Sequence, residues 1–114
     1  TRWVGASEMG AVALLLGEAV LALEAFEAAL GSAPGHRDAL FGRAEALLEL
    51  GRASDALSAL EPLLPEGGAD EWALGATICA AMSRLEDAQL FAKKAASIGP
   101  VGVDHPYRRI RYSS

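Results

Sequence analysis

Between Ala11 and Leu23 the chain reads AVALLLGEAVLAL, thirteen residues with a single charge, Glu18. The run falls short of the roughly 18 consecutive apolar residues that a membrane-spanning helix needs. It lacks a basic flank followed by a clear cleavage site, so it does not read as a signal peptide. Gly17 divides it into the end of one helix and the start of the next. A helix apolar on several sides is packed by neighbours on several sides, so the stretch is expected to be core. Leu14, Leu15 and Leu16 cannot all face one neighbour, and one or two of them must look outward.

The same pattern returns along the chain. A shift of 34 residues lays Gly17 on Gly51, Ala19 on Ala53, Ala22 on Ala56, Leu23 on Leu57, Phe26 on Leu60 and Leu30 on Leu64. A further shift of 32 lays Leu40 on Trp72, Ala44 on Ala76, Leu47 on Cys79, Asp55 on Asp87 and Ala56 on Ala88. The two missing residues fall in the loop around Pro65–Ala69, where a deletion costs little. Each unit reads as two helices. In the second, Leu40, Ala44, Leu47 and Leu50 recur at helical spacing. Gly51 ends that helix, because glycine enters the left-handed cap conformation without a Cβ clash. The next helix starts near Ala53 and shows Ala56, Leu57, Leu60 and Leu64. Pro62 lacks an amide proton and crowds the carbonyl of Ser58, which predicts a kink or an early end. Pro34, Pro65 and Pro100 mark where units end. Nowhere do β-branched residues alternate with polar ones over a useful length, so no strand is predicted.

These units resemble the tetratricopeptide repeat, a 34-residue helix–turn–helix with small residues where its helices touch, a large apolar residue in the second helix and a closing proline. The first unit supplies Gly10, Ala22, Phe26, Ala29 and Pro34. The second supplies Ala44, Ala56 and Leu60 but no closing proline. The third supplies Trp72, Ala76, Ala88, Ala95 and Pro100, with Ala92 where Phe26 calls for a large side chain. The resemblance implies an all-α fold, a right-handed helical solenoid of about three antiparallel helix pairs. It spans residues 3–100, in repeats of about 3–36, 37–68 and 69–100, followed by a basic tail, 101–114.

The resemblance also implies a concave groove lined by the first helix of each unit. Carried over by position, that groove shows Ser7, Ala11, Leu14 and Leu15, then Asp38, Phe41, Glu45, Leu48 and Glu49, then Asp70, Ala73, Thr77 and Ala81. The spacing of Asp38, Phe41, Glu45, Leu48 and Glu49 independently makes a second stripe beside the apolar one. Phe41 and Leu48 then lie away from the core and form a binding patch, or else pack under a loop or the tail. Co-chaperone members of the family grip a C-terminal carboxylate with Lys, Arg and Asn. This surface has none of them, so an acidic terminus is disfavoured and a ligand both basic and apolar is preferred.

Composition sharpens this reading. The 114 residues make one domain with room for a core. Residues 1–100 carry seven basic and fourteen acidic side chains, which argues against binding phosphate backbones. Nucleic acid and membrane are therefore not expected partners. The tail reverses the sign with Arg108, Arg109 and Arg111 against Asp104, interleaved with Tyr107, Ile110 and Tyr112. It is expected to lie extended in the acidic groove of its own chain or of a neighbour, or else to be a disordered end or a terminus in contact with nucleic acid. Cys79 is the single cysteine, so no internal disulfide forms, as suits a cytoplasmic protein. Eight of the ten basic residues are Arg, in keeping with a GC-rich bacterial genome.

Catalysis needs convergent groups, and the letters show none. His36 and His105 are far apart, no HxxxH or CxxC spacing occurs, and no glycine-rich phosphate loop is present. Cys79 falls at a helix contact and reads as a small buried apolar residue. No catalytic, cofactor or metal residues are expected, and the chain is expected not to be an enzyme. The leading expectation is a protein-binding adaptor or chaperone-like module. Two others stay open: a self-assembling homodimer or stack built on the apolar Met9–Leu16 helix, and a repeat domain cut from a larger protein, since the chain opens on Thr1.

Overall fold

A computed structural model describes residues 5–98. The helices are α1 (Ala6–Leu15), α2 (Ala19–Ser32), α3 (Arg37–Glu49), α4 (Ala53–Leu60), α5 (Ala69–Ala81) and α6 (Leu85–Ile98), and no strand occurs among the described residues. They form three helical hairpins in series. Each helix packs on the next in sequence, and the first helices of successive hairpins also touch, α1 on α3 and α3 on α5. This is the stacking of a helical-repeat solenoid, where each unit contacts its neighbours.

The turn inside each hairpin is built the same way. Gly17, Gly51 and Ser83 sit at φ +79°, +80° and +62°, spaced by 34 and then 32 residues. The next residue closes the turn, as Glu18, Arg52 and Arg84 amides donate to the carbonyls of Ala13, Leu47 and Cys79 at 2.8 to 2.9 Å. A left-handed residue followed by this long-range bond satisfies carbonyls that the helix end would otherwise orphan. Only the third turn does so with a side chain present, at Ser83. Pro62 has the predicted effect: α4 stops at Leu60 and the chain continues as a 3-10 turn, Glu61–Leu63.

Starts are set by side chains. Glu8 Oε1 accepts from the Gly5 amide at 2.8 Å, and Glu71 Oε1 accepts from the Gly68 amide at 2.9 Å. His36 caps α3, its Nδ1 accepting from the Ala39 amide at 3.3 Å. Each bond satisfies one of the donors a helix leaves free in its first turn.

Two apolar clusters hold the hairpins together. Phe26 is wedged between α1 and α3 with Ala22, Ala39 and Ala46 around it. Its ring lies directly over Gly10 and Gly42, and a Cβ at either would overlap the ring. The second cluster joins Ala44, Leu47, Ala56, Leu60, Leu63, Leu64 and Ile78 across α3, α4 and α5. Cys79 is buried beside it, as expected of a small apolar residue, and burial pushes its thiol pKa up.

The third unit departs from the expected register. Ala92 is exposed, and Phe91 supplies the large side chain one residue earlier. Its ring lies over Gly75 and meets Trp72 edge-on at 5.2 Å. Glycine and aromatic have moved together, because Gly75 precedes Phe91 by the same sixteen residues that separate Gly10 from Phe26. What the packing requires is a ring over a bare backbone, and that pair can slide by one position as a unit.

The opening apolar stretch is only partly core, which corrects the expectation. Leu15 and Leu16 are 87 % and 72 % exposed, and Met9, Val12, Val20 and Leu21 are more than half exposed. Ala13, Leu14 and Leu23 pack on the Phe26 cluster, and Ala22 belongs to it. No earlier hairpin lies over the outer face of α1 in the described structure, so apolarity there does not produce burial.

Candidate functional site: an acidic cleft between the first and third helices

Helix α1 and helix α3 touch but diverge enough to leave an open cleft of about 630 Å³. One wall is Ser7, Ala11, Leu14 and Leu15 from α1. The other is Asp38, Phe41, Gly42, Glu45 and Glu49 from α3. Spacings of three and four put each set on one face of its helix. The floor is the Phe26 ring, reachable because Gly42 places no side chain over it.

Four carboxylates rim the cleft, from Glu8, Asp38, Glu45 and Glu49, and among the described residues no Lys or Arg lines it. Glu8 is engaged in capping α1. The arginines nearest in sequence are spent elsewhere: Arg37 pairs with Glu71 at 3.6 Å and Arg43 with Glu27 at 3.6 Å. Arg52 and Arg84 pair with Asp55 and Asp87 within their own turns. Burial raises the Glu45 pKa, and the charge of Glu49 raises it further. A carboxylate that is partly desolvated beside another is stabilised by any cation placed between them.

Eight of the residues expected in the groove meet in this cleft: Ser7, Ala11, Leu14, Leu15, Asp38, Phe41, Glu45 and Glu49. Others do not. Leu48 lies outside it, half-buried against the second cluster. Phe41 lines the cleft but also packs on that cluster, so it is not the free apolar group the stripe predicts. The reason is geometric: α3 is held by α2 on one side and by α4 and α5 on another, which leaves only a narrow strip open. On α5, Asp70, Ala73, Thr77 and Ala81 are exposed and line no part of this cleft. The Thr77 hydroxyl donates to the Ala73 carbonyl at 3.1 Å, within its own helix. Glu8, Phe26 and Gly42 are cleft residues that the stripe did not include. Glu8 could have been found, since it precedes Ala11 by three.

Among the described residues no three His, Cys, Asp or Glu side chains gather as metal ligands do. No described helix is long and apolar enough to cross a membrane.

The tetratricopeptide repeat family model matches residues 13–81, which takes in α2, α3, α4 and α5 and the turn before each. This chain belongs to the tetratricopeptide repeat family. No curated protein matches it. Tetratricopeptide repeats are in general non-catalytic modules for protein–protein interaction, and the partners of this one are accordingly proteins. The repeat also accounts for the cleft: its first helices lie side by side, and its small residues, here Gly42 and Ala11, keep the space between them open.

Proposed function

We propose that this tetratricopeptide repeat protein is a non-catalytic adaptor or chaperone-like module that binds a basic, apolar peptide or helix in the α1–α3 cleft. The single observation carrying this is a cleft with an aromatic floor, apolar side chains in its walls, four carboxylates at its rim and no Lys or Arg among the described residues that line it. Leu14, Leu15 and Phe41 serve as the apolar contact. Asp38, Glu45 and Glu49 select positive charge, while Leu48, Asp70 and Thr77 act at most by extending the surface beyond the cleft. Residues 3–100 act as one unit in this reading, in a cytoplasmic setting that suits a lone thiol. A peptide alternating Arg with Leu and Tyr should bind, and its affinity should fall as salt rises. Its counterpart with Glu for Arg should not. Equal binding of both peptides, or of neither, contradicts the proposal.

A second reading has its own observation. Met9, Val12, Leu16, Val20 and Leu21 form an exposed apolar face at one end of the solenoid. Such a face favours self-assembly into a homodimer. A head-to-tail stack would set this face against α6, which has Gln89, Ala92 and Ala96 where the earlier units have large apolar residues but also exposes Leu85 and Leu90. Light scattering over a hundredfold concentration range decides it: a constant dimer mass favours self-assembly, a constant monomer mass favours the adaptor.

A further inference from the structure

We infer that the chain carries its own competing ligand for this cleft, the run Tyr107-Arg-Arg-Ile-Arg-Tyr112, which lies outside the described residues. The inference rests on the cleft reading given above and adds regulation to it. The cleft asks for positive charge and apolar bulk together. Within this chain that combination occurs in one place, where Arg108, Arg109 and Arg111 are interleaved with Tyr107, Ile110 and Tyr112. The four described arginines are all held in ion pairs, and Lys94 lies over the Trp72 ring at 5.7 Å. They are not available to the cleft carboxylates.

Reach permits the contact. Successive helices alternate in direction, so α6 ends on the same edge of the solenoid at which α1 and α3 begin, but in the last hairpin, at the far end of the stack from α1. The longest dimension of the fold is 41 Å. The twelve residues from Gly99 to Ile110 span up to about 40 Å when extended. Alternate side chains of an extended segment face opposite ways, so Ile110 and Tyr112 can meet the apolar Leu14 and Phe41 side chains of the walls while Arg109 and Arg111 meet the rim. In that register Arg109 and Arg111 face the Asp38, Glu45 and Glu49 carboxylates, and a tethered ligand at millimolar effective concentration competes well with a free one.

The test uses the full chain, labelled with nitrogen-15, beside a full-length R108S/R109S/R111S variant. The amide signals of Leu14, Phe41, Glu45 and Glu49 should differ between the two chains, and dilution should not change them. The synthetic peptide VGVDHPYRRIRYSS should bind the variant about tenfold more tightly than the intact chain, the margin a tethered competitor imposes. E45Q/E49Q, made from the cleft side, should shift the same signals. Identical cleft signals in intact and variant chains would overturn the inference. So would signals that revert on dilution, which assign the tail to a second copy. An unrelated Arg-Leu-Tyr peptide that binds both chains equally would sink tail docking and leave the cleft reading standing. Failure of both peptides on both chains would sink both.

Discussion

Val12, Ala46 and Ile78 hold the same place in three successive units, yet their surroundings differ. Ala46 and Ile78 are fully buried, and Val12 is 53 % exposed. Ala46 meets the Phe26 cluster of the preceding hairpin, and Ile78 meets the Leu60 and Leu64 side of the one before it. Nothing among the described residues plays that part for Val12. Leu16 repeats the contrast with Leu50 and Met82, which are half-buried. Burial at this position therefore comes from the neighbouring hairpin and not from the apolarity of the helix. The inner units hold the fold, whereas the first unit has apolar surface to spare and contributes a wall of the cleft.

The largest test of that contrast is truncation at the two ends of the register. Ile78→Ala should cost about 2–5 kcal/mol, the range for a buried aliphatic in a close-packed site. Val12→Ala should cost less than about 0.5 kcal/mol, as exposed changes do. Thermal unfolding of the two variants measures both. A Val12→Ala loss equal to that of Ile78→Ala would mean the α1 face is covered in solution, which would break the comparison and favour the homodimer.

Next in size is the bare backbone under Phe26. Gly42→Ala puts a methyl group into the ring, and the neighbours must shift at about 1–3 kcal/mol. Gly31, in exposed helix, has open space around its Cα. Gly31→Ala should stabilise by up to about 1 kcal/mol through helix propensity. Opposite signs in a chemical denaturation series are the expected outcome, and the same sign would refute the wedge.

A smaller effect sharpens the comparison of turns. Ser83 adopts the backbone that Gly17 and Gly51 adopt without strain. Ser83→Gly should stabilise by about 0.5–1 kcal/mol, the relief of a left-handed residue less the added freedom of the unfolded chain. Gly51→Ala should destabilise by a similar amount. A neutral Ser83→Gly in the melting curve would show that its turn is already relaxed.

The smallest effect is in pH. Glu45 has its pKa raised in the folded chain, first by burial and then by Glu49. The folded state thus holds this proton more tightly than the unfolded state. Stability is fully present below the ordinary carboxylate range and is lost as pH rises through the raised value. Glu45→Gln should flatten that limb of the stability–pH profile. A bound arginine peptide should flatten it too, by lowering the Glu45 pKa.

Much of the fold was legible because punctuation recurs. Gly17 and Gly51 locate the first two hairpin turns, and Pro62 shortens α4 as its chemistry requires. One cleft wall was legible as a helical stripe, Asp38 to Glu49, and the other, Ser7 to Leu15, only through the family resemblance. What was not legible depends on neighbours. A stripe does not reveal that α2 and α4 squeeze α3 until Phe41 and Leu48 also touch the core. Hydropathy cannot tell an inner α1 from an edge one. A fixed register hid Phe91, because ring and glycine moved together. Phe26 serves as core and as floor, a double role that only the absence of a side chain at Gly42 permits.

The most direct measurement is a titration of the nitrogen-15 labelled chain with the Arg-Leu-Tyr peptide, read residue by residue. The account predicts shifts at Leu14, Phe41, Glu45 and Glu49, with Met9, Val12 and Leu16 unmoved. Shifts confined to Met9, Val12 and Leu16 would contradict it, because the working surface would then be the apolar edge and not the acidic cleft.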